Sequence, residues 1–167
     1  MRTRAAKFAI LAVACLGYIG APSDVSARTT SAETTCHTIS KPQVIALFDR
    51  WNRALLTRRT DAVVLEYATN ATLLPTVQNG PLTGREPIGK YFDYFLKKSP
   101  AATIDTRVIQ TGCNFAYDIG LYTFMVDGNE PGSRTQVKAR YTFIYEPVHG
   151  KWLIMHHHSS ALPVPAP

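Results

Sequence analysis

The apolar period changes once along this chain, and that change sets the fold class. Early on, Val44, Leu47, Phe48, Trp51 and Leu55 stand at i, i+3, i+4, i+7 and i+11, the stripe of an amphipathic helix. From Ala102 onward the period is 2. Residues 103–110, 115–126, 136–146 and 152–158 read as four strands, joined by short links at 111–114, 127–132 and 147–150 that carry Gly, Asn, Asp and Pro. Successive strands with short links predict an antiparallel meander.

The helical half has its own punctuation. Ser40, Pro42 and Gln43 form a capping-box start, and Arg58 and Arg59 suit the C-terminal end of the helix. Thr60 starts a short second helix through Val64 and Tyr67. Residues 71–74 read as a short strand stopped by Pro75, and 78–81 as a turn. Pro87 opens a third helix with Ile88, Tyr91, Phe92, Phe95 and Leu96 on one face, closed by Ser99 and Pro100. The expected class is α+β: three N-terminal helices packed on a curved, largely antiparallel sheet, leaving a cone with an open mouth.

The first 27 residues read as an export signal. Arg2, Arg4 and Lys7 precede an uncharged apolar run of 12 residues at 8–19, and Val25, Ser26 and Ala27 offer the small residues of a cleavage site. The run falls short of the ~20 residues that span a bilayer. A lipoprotein reading through Cys15 is weaker, because Ala12 stands where a lipobox takes Leu. Cleavage after Ala27 lowers the formal charge from +6 to 15 − 11 = +4. The remaining cations form no run longer than two, which argues against nucleic-acid binding. The organisation expected is a signal at 1–27, a linker at 28–39, a domain at 40–163 and a tail at 164–167. The protein then resides in the periplasm or outside the cell, without a membrane anchor. Two cysteines remain, Cys36 and Cys113, and an oxidising compartment predicts a disulfide between them. The alternative is two buried free thiols.

The last strand carries the most specific motif. Gly150, Lys151 and Trp152, then the histidines at 156–158, then Ser159, Ser160, Ala161 and Pro163, resemble the closing strand of the association domain of calcium/calmodulin-dependent protein kinase II. Leu74-Pro75, then Gly84 and Ile88 before an aromatic helix, are similar to the wider SnoaL-like, nuclear-transport-factor-2-like (NTF2-like) group. The resemblance runs over 40–163 and implies a cone-shaped NTF2-like fold, a pocket and a homodimer formed through the sheet. No Gly-rich phosphate loop, catalytic Asp motif or calmodulin-binding helix accompanies it, so kinase activity is not expected. The family pocket carries several arginines. Arg134 stands near one of those positions, Leu121 and Thr142 stand where two others would be, and Arg140 is offset on the same strand.

Strand alternation places His156 and His158 on one face with Trp152 and Ile154, and His157 on the other with Leu153 and Met155. The pocket expected from the resemblance holds Arg140, His156, His158, Trp51, Tyr91, Tyr122 and Arg134, with a small anionic ligand on Arg140. Two imidazoles on a face are too few for a tight zinc site, so neither a metal nor a cofactor is expected. A solvated outer sheet face sits poorly with Ile144 on one parity and Tyr141, Phe143 and Tyr145 on the other, which favours a covered face. Two functions follow. One is an exported, dimeric ligand-binding or assembly module. The other is a SnoaL-like enzyme, an isomerase or cyclase, with His156 or Asp118 as general base.

Overall fold

The computed structural model describes residues 35–163. The expected signal at 1–27, most of the linker and the tail at 164–167 lie outside the described residues. The elements are α1 (Lys41–Leu56), α2 (Thr60–Val64), β1 (Tyr67–Leu74), β2 (Leu82–Thr83), α3 (Arg85–Phe95) with a 3-10 turn at Leu96–Lys98, β3 (Ala101–Gly112), β4 (Phe115–Asp127), β5 (Arg134–Val148) and β6 (Lys151–Ala161). The fold is α+β, with helices on one six-stranded sheet of order β2-β1-β6-β5-β4-β3. Every neighbouring pair is antiparallel except β1 with β6.

Helix α1 starts as its sequence dictates: the Ser40 N–H donates to Gln43 Oε1 at 2.9 Å. All five residues of its apolar stripe are buried. Phe48 and Trp51 press on the sheet, with ring centroids 5.9 and 5.2 Å from Phe143. The helix therefore lies across the inner face, and its aromatic layer is the core.

Two early elements differ from expectation. The second helix stops at Val64, and Tyr67 belongs to β1, which is longer than the 71–74 strand expected. The cause is tertiary: Ile154 N–H donates to the Glu66 carbonyl at 2.9 Å, and Tyr67 pairs with Ile154 of β6. Strand β2 is two residues long and carried no usable periodicity.

Irregularities bend the long strands. Register shifts lie between Ile104 and Thr106 of β3 and between Ile144 and Tyr145 of the β5–β6 pair. Gly120 faces the first of these, where a Cβ would overlap the Thr106 carbonyl oxygen, so no larger residue fits without moving backbone.

Cys36 and Cys113 are joined by a disulfide, with Cα atoms 5.1 Å apart. Beside it, the His37 N–H donates to Asn114 Oδ1 at 2.8 Å and the Asn114 N–H to the His37 carbonyl at 2.9 Å. The segment ahead of α1 is thus tied to the β3–β4 hairpin. In the chain-entropy account, closing so long a loop stabilises the fold by roughly 4 kcal/mol. Urea unfolding with and without reductant is expected to differ by an amount of that order, and superimposable curves would reject a stabilising bridge.

Candidate ligand cavity

Alternation along β4, β5 and β6 decides which side chains enter the hollow. Tyr122 and Phe124 of β4, Ala139, Tyr141 and Phe143 of β5, and His157 and Ser159 of β6 are buried. Between these elements, α1 and α3, lies a cavity of about 330 Å3. Trp51 of α1, Tyr91, Phe92 and Phe95 of α3, and Tyr122, Phe124 and Val137 of the sheet supply most of its wall. Its charged lining residues are Lys98, which is exposed, and Asp127, which is half-buried.

Inside the cavity wall, polar groups form two short chains. In the first, Trp51 Nε1–H donates to Tyr67 Oη at 3.1 Å, and that hydroxyl lies 2.8 Å from His157 Nδ1. His157 is 4% exposed, stacks on Phe143 at 4.1 Å, and its Nε2 has no hydrogen-bond partner among the described residues. Burial pushes the imidazole pKa down to about 3, with smaller repulsion from His156 and His158, so His157 is neutral at neutral pH. In the second chain, Tyr122 Oη donates to Ser159 Oγ, which also meets Thr76 Oγ1. Burial raises the pKa of Tyr91 to about 12 and that of Tyr122 further, so both stay protonated.

Of the residues named from the sequence, Trp51, Tyr91 and Tyr122 line the cavity. The other expected pocket residues do not, and the reason is local. Tyr145 pairs with Ile154 and Ile144 with His156, so Met155 is an extra residue on β6. That bulge reverses the alternation: Ile154 and His157 point inward, and His156 and His158 fall on the outer face. Arg140 alternates with the buried Tyr141 and is also on the outer face. There it lines a shallow hollow with Thr142, His158 and Ser160. Arg134 is bound to Asp127 and to the Ser99 and Met125 carbonyls. His157 is the residue that sequence reasoning missed, and only the bulge reveals it.

Asp118 points inward but does not line the cavity. It accepts from Tyr141 Oη at 2.8 Å, and Arg107 Nε lies 3.2 and 3.0 Å from its two oxygens. The Arg107 guanidinium lies over the Phe48 ring at 5.2 Å. Burial raises the Asp118 pKa, while Tyr141 and Arg107 oppose the rise. Among the described residues, no group of three or more His, Cys, Asp or Glu side chains is placed to hold a metal ion.

A family model described as the calcium/calmodulin dependent protein kinase II association domain matches residues 40–163. A Xanthomonas campestris protein described as a candidate domain of that kind is 46% identical, covering 72% of this chain and 86% of its own, with a TM-score of 0.70. A candidate NTF2-like dehydratase from Streptomyces avermitilis is 10% identical, with 74% and 96% covered and a TM-score of 0.65. A ketosteroid isomerase-like protein from Erwinia carotovora atroseptica is 15% identical, with 72% and 95% covered and a TM-score of 0.60. These last two share the fold alone. No curated protein matches the chain. The chain belongs to the calcium/calmodulin-dependent protein kinase II association domain family, within the NTF2-like fold.

Proposed function

We propose that this domain is an exported, self-associating module that holds a small ligand in its cavity and performs no kinase chemistry. The observation that carries the ligand reading is the cavity of about 330 Å3, walled by aromatic side chains and by an imidazole whose Nε2 has no partner among the described residues. Such a site binds by burying apolar surface and orients its guest with one or two polar groups.

The enzymatic alternative needs a base with a pKa near the working pH. His157, the imidazole in the wall, is held near 3 and is too weak. Asp118 lies outside the lining and is occupied by Arg107 and Tyr141. His156 is on the outer face. Binding is therefore the better reading.

Self-association is supported by the family's association domains and by the outer sheet face. Tyr117, Ile119 and Leu121 of β4 alternate with inward side chains and pair with Ile144, Thr142 and Arg140 of β5. Val108 of β3, opposite Ile119, is 56% exposed. A second copy seated here would cover this apolar strip. Light scattering is expected to report at least a dimer. Leu121→Glu with Ile144→Asp is expected to reduce it to a monomer, because each copy would bury uncompensated charge. A monomeric wild-type protein at micromolar concentration would reject self-association.

Export rests on the basic, apolar, small-residue order of residues 1–27 and agrees with a disulfide between Cys36 and Cys113. Among the described residues, no helix is long and apolar enough to cross a membrane. The mass of the protein recovered from its producing cells tests this directly. A chain starting at Arg28 in the exported fraction is expected, and an intact N-terminus in the cytoplasm would refute export.

A further inference from the structure

We infer that the cavity takes a neutral, largely apolar molecule bearing a hydrogen-bond-accepting oxygen, which sits on the His157 Nε2–H. This inference rests on the ligand-binding reading above and gives the guest a chemical class.

The argument is a count of protons. An indole N–H only donates, so Trp51 occupies a lone pair of the Tyr67 hydroxyl. That hydroxyl has one proton, and His157 Nδ1 stands 2.8 Å away. If Tyr67 donates to Nδ1, every proton of this chain except one has an acceptor. The opposite assignment strands both the Tyr67 proton and the Nε2 lone pair. The first assignment therefore holds, and a neutral imidazole with an accepting Nδ1 carries its proton on Nε2. Among the described residues, His157 Nε2–H is a buried donor without an acceptor, on a side chain that lines the cavity. Leaving such a donor unpaired is unfavourable, and an acceptor brought in by a guest relieves it.

The second chain points to the same chemistry. Tyr122, Ser159 and Thr76 hold three hydroxyl protons and two mutual hydrogen bonds. Tyr122 gives its proton to Ser159, and one more proton is used between Ser159 and Thr76. One O–H is left over. The wall thus presents two donors, the His157 Nε2–H and one hydroxyl, and that hydroxyl can also accept.

Charge excludes the anionic guest that the sequence suggested. Arg140 is on the other face of the sheet, and Arg134 is engaged by Asp127, whose carboxylate itself lines the cavity. Lys98 is exposed. A carboxylate seated in the aromatic wall would be desolvated without a buried cation, which is unfavourable by several kcal/mol. Ketones, aldehydes, esters and ethers on a flat apolar body match the donors, the aromatic wall and the volume.

The test uses three probes of one shape: 1-indanone, indane and indane-1-carboxylate. Their dissociation constants are read from amide NMR shifts of the wild-type protein. Indanone is expected to bind about 5-fold or more tightly than indane, the increment of one desolvated hydrogen bond. The carboxylate is expected to bind at least about 10-fold more weakly than indanone. In His157→Phe the indanone-to-indane ratio is expected to fall to about 1, while His157→Gln, which keeps an N–H, retains part of the preference. The wild-type ranking stands even if a variant fails to fold. Tightest binding by the carboxylate, or no preference for indanone over indane, overturns this inference and leaves the cavity as a ligand site. No binding by any probe overturns both.

Discussion

Asp118→Ala is expected to destabilise the domain by about 3–5 kcal/mol, near the lower figure because Arg107 keeps some contact with solvent. Asp118 is fully buried, and the Arg107 side chain is 18% exposed. Removing the carboxylate leaves that guanidinium without its anion against the Phe48 ring, and the Tyr141 hydroxyl without its acceptor. The loss is therefore mostly that of stranded partners, not of the pair itself. A double replacement separates the two. Arg107→Met with Asp118→Leu keeps volume and strands no charge, so it is expected to recover most of the loss. Urea unfolding of the two variants checks this. A loss below about 1 kcal/mol for Asp118→Ala would mean that the pair is hydrated in solution, and a base role for Asp118 would reopen.

Acid is expected to weaken the fold through His157. Its folded pKa is depressed from 6.5 to about 3. Above pH 6.5 both folded and unfolded chains hold it neutral, and it has no pH dependence. Between pH 6.5 and 3 the unfolded chain takes up a proton that the folded chain refuses. The folded-to-unfolded ratio is then expected to fall by up to tenfold per pH unit as pH drops. His156 acts in the same direction with a smaller shift, since its pKa is also lowered by partial burial and by His158. Asp118 acts oppositely, because its raised pKa favours proton uptake by the folded state. His157→Phe, which cannot titrate, is expected to flatten the pH–stability profile above pH 5 relative to wild type. Parallel profiles would show that His157 is solvated.

The comparison of sequence with structure turns on backbone irregularity. The α1 stripe, the aromatic face of α3 and the four late strands were legible because each holds one period over most of its length. The parallel β1–β6 pair was not, since its residues gain strand geometry only from a partner distant in sequence. The wall residues Trp51, Tyr91 and Tyr122 were found because large aromatic groups in an open cone have few places to go. Alternation by two puts His156 and His158 on the face of Trp152 and Ile154, and the resemblance puts them in the pocket. One extra residue, Met155, inverts that count for everything after it. With it the expected chemistry changes from paired imidazoles beside an arginine to a single neutral imidazole among aromatic rings. Arg140 and His158 lie near each other in the hollow on the sheet's outer face, not in the cavity.

The central claim is that His157, and not its neighbours, is the cone's interior imidazole, fixed neutral with its proton on Nε2. Long-range 1H–15N correlation of the histidine rings between about pH 5 and 8 reads this directly. The account predicts one ring whose Nδ1 and Nε2 shifts are widely separated, in the Nε2–H pattern, and do not move across that range, and predicts that His157→Phe removes that ring's signals. A His157 ring that titrates near 6.5 with averaged nitrogen shifts, as an imidazole in water does, would contradict it.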